Sequence, residues 1–267
     1  QAIRAVTNEV ETDLCALQST FSRAYGTAGT SPFGTANDYT DASNVLKILK
    51  DNGAPLQDNQ LVIDTSAGVN LLGKQANVAD AGSDSILRQG VLLDVNGMPI
   101  RESAQVNTSV AGTSANAVSA GAHVVGQTAI TLKASGTGTI VTGDVITFAG
   151  DTNKYVVAAG VAAVSGGALV IAAPGLRVAQ NAGDKAITIT AAATRNMAFN
   201  RSAIVLASRA PARPSEGDMA TDVIVITDPR SGLSMEFAMY KGYRKVRYEV
   251  GLAWGVKNIK PEHTALL

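Results

Sequence analysis

Ile3, Val6, Val10, Leu14, Leu17 and Phe21 recur every three or four residues, with Arg4, Asn8, Glu9, Glu11 and Gln18 on the intervening sides. That spacing predicts one long amphipathic helix with a single buried stripe. Gly26 can take the positive φ that closes helices, which places the end near Tyr25. A second helix is expected with Asp41 as its cap, burying Val45, Leu46, Ile48 and Leu49. "KDNGAP" stops it, with Gly53 just past the end and Pro55 beyond. Residues 60–65 read as a short buried strand, followed by a third helix over about 66–75. Asn96-Gly97 is a hairpin-type turn signal ahead of a strand through Ile100.

The period changes near residue 104. From there to 196 the chain is dominated by Ala, Gly, Thr, Val and Ser, in alternating pieces such as "TAITLKA", "DVITFAG", "KYVVAAG", "ALVIAA" and "KAITIT". Gly- and Asp-bearing turns separate them. Short strands at regular spacing predict a small antiparallel barrel or sandwich, an all-β module placed inside an α+β chain. Beyond residue 201, "AIVLAS" and "DVIVIT" read as buried strands joined by the Pro-rich link "RAPARPSEGD". Val246, Tyr248, Val250, Leu252 and Trp254 alternate with Arg247, Glu249 and Gly251, which predicts one long half-buried strand.

Composition narrows the function classes. The 267 residues carry zero formal net charge, 16% charged and 4% aromatic side chains. A clustered basic face and base-stacking aromatics, the usual marks of nucleic-acid binding, are not expected. Apolar content of 46% comes largely from Ala and Val. No apolar run reaches the roughly 18 residues of a membrane-spanning helix. Cys15 is the single cysteine, so no internal disulfide can form. The chain starts at Gln1 inside a helical pattern, which leads us to expect that natural sequence precedes it.

Candidate chemistry is sparse. "SRAYGTAGTSPFGT", residues 22–35, sets Gly26, Gly29 and Gly34 among threonines. A phosphate-binding loop follows a strand and leads into a Lys-Ser/Thr helix start. Here the glycines follow a predicted helix and no lysine precedes residue 47. A flexible connector is the better reading. His123 and His263 have no Cys or His neighbour at ligand spacing and are expected on the surface. Cys15 reads as a small buried residue on the helix. "DAGSDS", residues 80–85, lacks the spacing of a calcium loop. Asn107 and Asn200 head glycosylation-like triplets, a pattern that short motifs match often by chance. "YKGYRKVRYEV" interleaves Lys241, Arg244, Lys245 and Arg247 with tyrosines, and is expected to form a solvated or subunit-contacting face. No catalytic, cofactor or metal constellation emerges, so the chain is not expected to be an enzyme.

The ordered segments resemble the major capsid proteins of tailed double-stranded DNA phages, and within them the short-tailed-phage coat branch with an inserted β-barrel. Residues 2–35 are similar to that family's spine helix and the loop leaving it. "VLKILKDNGAPLQDNQLVIDTSAGVNLL" looks like the helix-turn-strand-helix of its axial domain. "TGDVITFAG" is the most typical phrase of the inserted block, and "DPRSGLSMEFAMYKGYRKVRYEVGLAWGVKNIKPE" looks like its final strands. The resemblance implies an α+β phage capsid shell fold, with a long spine helix, an axial α/β domain and an inserted all-β antiparallel barrel. It implies a peripheral domain of 1–25 and 236–267, an axial domain of 26–103 and 197–235, and the inserted domain at 104–196. It implies self-assembly into pentamers and hexamers of an icosahedral shell, with no cofactor. Implied partners are neighbouring copies, a scaffolding protein, a portal, and packaged DNA without sequence-specific contact; no membrane is implied. The implied location is the virion capsid, and the host bacterial cytoplasm during assembly. Gly26, Gly29 and Gly34 are then a hinge between spine helix and axial domain. The family normally has an arm and an extended loop ahead of the spine helix, so the chain as given is expected to be a monomer or small oligomer. A β-rich adhesive or ligand-binding surface module is the alternative.

Overall fold

The computed structural model describes residues 1–35, 38–75, 82, 88–90, 92, 94–180, 183–213, 217–229 and 231–267. In chain order, α1 (Ala2–Ala16) and a 3-10 turn at Leu17–Thr20 lead into β1 (Arg23–Ala24). Next come α2 (Thr40–Asp51), β2 (Asn59–Ile63), α3 (Thr65–Lys74) and β3 (Ile100–Glu102). Six short strands follow: β4 (Val118–Ser119), β5 (Ala129–Thr131), β6 (Val145–Phe148), β7 (Lys154–Ala159), β8 (Ala168–Ile171) and β9 (Lys185–Ile189). The rest is β10 (Met197–Asn200), β11 (Ile204–Arg209), β12 (Asp222–Thr227), β13 (Ser234–Gly242), β14 (Lys245–Gly251), β15 (Ala253–Asn258) and β16 (Thr264–Leu266). The chain divides into two compact units, Gln1–Leu14 with Val205–Lys257, and Cys15–Ile204 with Asn258–Leu267.

This overturns the expected α+β capsid shell fold. The structure is mostly β-sheet, with three short helices among the described residues, and no long spine helix runs through residues 1–25. Helical periodicity continues to Phe21, yet α1 ends at Ala16 and Phe21 is already extended, with φ −75° and ψ 165°. Tertiary pairing wins there over local preference. Phe21 is fully buried, the Ser22 hydroxyl donates to the Thr264 carbonyl, and Arg23 pairs with Ala265 on one side and Tyr155 on the other. A helix through these residues would forfeit both ladders and expose Phe21, whose burial alone is worth about 1.5–3 kcal/mol.

In the larger unit an eleven-stranded sheet runs β3-β2-β10-β16-β1-β7-β6-β9-β4, with β5 and β8 joined to it through β7. β4 to β9 are paired antiparallel throughout, as β4·β9, β9·β6, β6·β7, β7·β8 and β8·β5. A bridge between Ser119 and Leu132 returns β4 to the end of β5, so this ladder closes on itself. Ile130, Ile146, Phe148, Tyr155, Leu169 and Ile187 fill its interior.

A second core lies between α2, α3 and the β2–β3 edge, built on Val45, Leu49, Leu61, Ile63, Leu71 and Ile100. α2 ends where expected, with Gly53 at φ +80° donating its N–H to the Lys50 carbonyl. α3 is capped by Asp64, whose carboxylate accepts from the N–H of Ser66 and Ala67.

The smaller unit holds an antiparallel sheet β12-β13-β14 and a β11-β15 ribbon. The long strand expected over 246–254 is broken at Leu252. β14 stays with β13, whereas β15 turns to β11 and the Trp254 indole N–H donates to Asp13 Oδ2 at 2.8 Å.

The Arg23 side chain ties three parts of the larger unit together. Its Nη1 donates to Asn153 Oδ1 at 3.0 Å, and its Nη2 to Asn52 Oδ1 at 2.9 Å and the Ile48 carbonyl at 3.3 Å. Removing it leaves the half-buried Asn52 and Asn153 amide oxygens without that donor, whereas the Ile48 carbonyl keeps the Asn52 N–H. Arg23→Ala is expected to cost about 2–4 kcal/mol in urea unfolding, against about 1 kcal/mol for Asn153→Ala.

Candidate functional site

The Gly/Thr loop leaving β1 forms one wall of a cleft of about 550 Å³. Gly26 and Gly29 sit at φ +89° and +80°, a conformation that costs other residues strain, whereas Gly34 has an ordinary φ. Three side chains tie the loop down. Asp41 Oδ2 accepts from the Phe33 N–H at 2.8 Å, Asn70 donates to the Pro32 carbonyl at 2.9 Å, and Lys74 donates to the Thr35 and Asp38 carbonyls. The Lys74 ammonium also lies 5.0 Å from the Tyr39 ring centroid. Asp41 therefore anchors this loop instead of capping α2, whose N-cap position is Tyr39. The hinge expectation for Gly26, Gly29 and Gly34 concerns motion between assembled copies, and these tethers describe the loop within one chain.

Across the cleft stand Thr108, Thr194 and Arg195, with Asp64 and Ser66 at the start of α3. Arg195 is only 3% exposed, and Nη2 donates to the Ala191 carbonyl at 3.3 Å. Its Nε is buried without a hydrogen-bond acceptor, and among the described residues no carboxylate pairs with it. Burial pushes the Arg195 pKa below its ordinary value. Lys154, whose ammonium donates to the Gly26 carbonyl, is lowered by burial first and by the Arg195 charge second. Buried Arg195 and half-buried Lys154 thus share this region with Asp41 and Asp64, whose oxygens accept from backbone N–H groups. Sequence reading missed Arg195 and Lys154. The one available signal was that Arg195 is the lone charge between Ala186 and Asn200.

Other candidates fall elsewhere. His123 is buried, contrary to the surface expectation, because its backbone pairs with Gln180 while Nε2 accepts from the Thr131 N–H at 3.3 Å. His263 is half-buried and Cys15 is buried. Asn200 is buried and donates to the Gln57 carbonyl and Asn59 Oδ1, so its amide serves packing. The 80–85 segment lies outside the described residues apart from Gly82. Among the described residues no cluster of three His, Cys, Asp or Glu could hold a metal, and no helix is long and apolar enough to cross a membrane.

A second candidate is the β12-β13-β14 sheet. Register places Ile224, Phe237 and Val250 in one row, Ile226 beside Met235, and Met239 beside Tyr248, all on one face. Ile3 of α1 borders a small cavity with Ile226, Met235, Phe237 and Val250. Beyond it, Ile224 stays 50% and Tyr248 62% exposed, and Val246 is also exposed. The opposite face is mixed, with Val223, Val225 and Ala238 beside polar groups, Arg213 being paired to Glu236 at 3.3 Å and the Tyr240 hydroxyl donating to Asp218. β11 and β12 were expected to be buried, yet both are largely exposed, because the described residues of the unit leave most of their side chains uncovered. The basic run forms the β13–β14 hairpin tip, where Lys241, Arg244 and Lys245 surround an exposed Tyr243.

No family model matches the chain, and no curated protein matches it. A solved structure named Mycobacterium phage Che8 is similar over 99% of this chain and 59% of its own, at 13% identity and a TM-score of 0.44. This chain therefore spans less than two thirds of that structure, which is a distant neighbour.

The loop geometry separates its glycines. A Cβ at Gly29 would meet no atom within 4 Å, so the cost of Gly29→Ala comes from its positive φ alone. Thermal unfolding is expected to show about 1 kcal/mol lost for Gly29→Ala. Gly34→Ala should stay within about 0.5 kcal/mol of the parent chain.

Proposed function

We propose that this chain is a structural coat subunit of a phage-type shell, and that its work is association with copies of itself. The observation that carries the reading is the apolar strand DVIVIT left in solvent. Continuous apolar runs of this kind are suited to burial on both faces, and here Ile224, Val225 and Ile226 are all exposed. Among the described residues the outer edges of β12 and β14 are also unpaired. An apolar face with open edges is a template for another chain unless something covers it.

A second copy fits that surface better than a charged partner would. Zero net charge leaves no long-range repulsion between copies. The same unit carries a basic hairpin tip and, on α1, the exposed acids Glu9 and Asp13. Opposite charges at different places on one unit suit head-to-tail contacts, which close into rings. The sequence resemblance to phage coats supplies the class of assembly: capsomers of a closed shell around packaged DNA, with a scaffolding protein and a portal as further partners. The chemistry asked of the chain is then association and not catalysis, and its place is the virion, reached by assembly in the host cytoplasm.

Sedimentation equilibrium tests the reading. The chain is expected to associate reversibly with rising concentration, and Ile224→Asp with Tyr248→Ser to weaken that by about 2 kcal/mol or more, roughly thirtyfold. Ile224 is exposed, so its substitution should hardly move the unfolding midpoint, whereas Tyr248→Ser also gives up the Phe237 ring contact and should cost about 1 kcal/mol of stability. A parent chain that stays monomeric at every soluble concentration would overturn the proposal. Electron microscopy of the protein coexpressed with a phage scaffolding protein should show closed shells.

A further inference from the structure

We infer that the cleft beside the Gly/Thr loop is an oxyanion-binding site, with Arg195 as its recognition group and a phosphate or carboxylate as its ligand. The argument starts from cost. A buried guanidinium normally has a carboxylate or several carbonyls against it, because an uncompensated charge in a low-dielectric site is strongly unfavourable. Arg195, at 3% exposure, has one carbonyl contact at 3.3 Å and a bare Nε. The same side chain lines an open cleft of about 550 Å³. A planar fork of N–H donors with one internal carbonyl acceptor and no carboxylate suits a planar or tetrahedral oxyanion from outside.

Two further observations point into the same space. Ser31 is one of the residues lining the cleft, and its hydroxyl is buried without a partner among the described residues, so it needs a rotation to reach a ligand. Thr27, Thr30 and Ser66 add hydroxyl groups around it. Lys154, held on the Gly26 carbonyl, adds positive potential behind the loop. Asp41 and Asp64 also line the cleft, accepting from the Phe33 N–H and from those of Ser66 and Ala67, and they keep their charge, so the oxyanion must sit nearer to Arg195 than to either carboxylate. The loop has the composition of an anion cradle, and the cations that its own sequence lacks arrive from residues 154 and 195.

Isothermal titration calorimetry on the full chain at fixed ionic strength in chloride tests this with two arms, sodium phosphate and sodium acetate. Saturable binding of phosphate alone assigns a phosphate-bearing ligand. Binding of both anions shows that a carboxylate suffices. Arg195→Gln is expected to weaken the binding at least about tenfold, and Ser31→Ala to weaken it less. Should Arg195→Gln fail to fold, the Nε–H resonance of Arg195 in the parent chain gives the same information, since it must shift on titration. No saturable heat in either arm, or an Arg195 resonance that phosphate and acetate leave in place, would overturn the site.

Discussion

The larger unit depends on a strand of two residues. Arg23 and Ala24 lie between β16, which they meet in parallel, and β7, which they meet antiparallel. Without that link the eleven-stranded sheet would part into the β3-β2-β10-β16 portion and the closed ladder of β4 to β9. So short a strand cannot hold by its own ladder, and side chains do the rest. Phe21 fills the core beside Val145, Val156, Met197 and Leu266. Asn52, at the end of α2, donates to the Ser22 hydroxyl and the Glu262 carbonyl while accepting from Arg23. One amide and one guanidinium therefore join α2, β1, β7 and the turn before β16.

In the smaller unit local pattern and tertiary surroundings disagree. β12 carries Val223, Ile224, Val225 and Ile226 in succession, a composition for a strand covered on both sides, and the unit covers it on neither side fully. Phe237 and Tyr248 pack with ring centroids 5.9 Å apart, which stiffens the apolar face without hiding it. Such conflicts between levels concentrate where a protein meets something else. The closed ladder of the larger unit shows the contrast. Leu169 and Ile171 point in and are buried, while Ala168 and Val170 point out, and pattern and burial agree.

The loop after β1 joins two arguments that sequence reading kept apart. Its glycines and hydroxyls invite an anion, and its lack of lysine argues against one. Folding supplies Lys154 from β7 and Arg195 from the segment before β10, residues more than a hundred positions away. The anchoring of the same loop through Asp41, Asn70 and Lys74 likewise comes from α2 and α3.

By itself the sequence determined the local elements whose forces are local. α2 with its Gly53 stop, β2, α3 and the Asn96-Gly97 turn appear where periodicity and turn chemistry place them, because caps, positive φ and amphipathic stripes act within a few residues. The alternating pieces between 104 and 196 are strands for the same reason. What the tertiary structure alone decided lies where distant residues compete with local preference. It ended α1 at Ala16, because β7 and β16 offer Arg23 and Ala24 two ladders that a helix would forgo. It split the alternating run at Leu252, because β13 and β11 claim different halves. It buried His123, exposed β12 and brought Arg195 to the cleft, since burial belongs to neighbours far along the chain and is not written in the spacing of a segment.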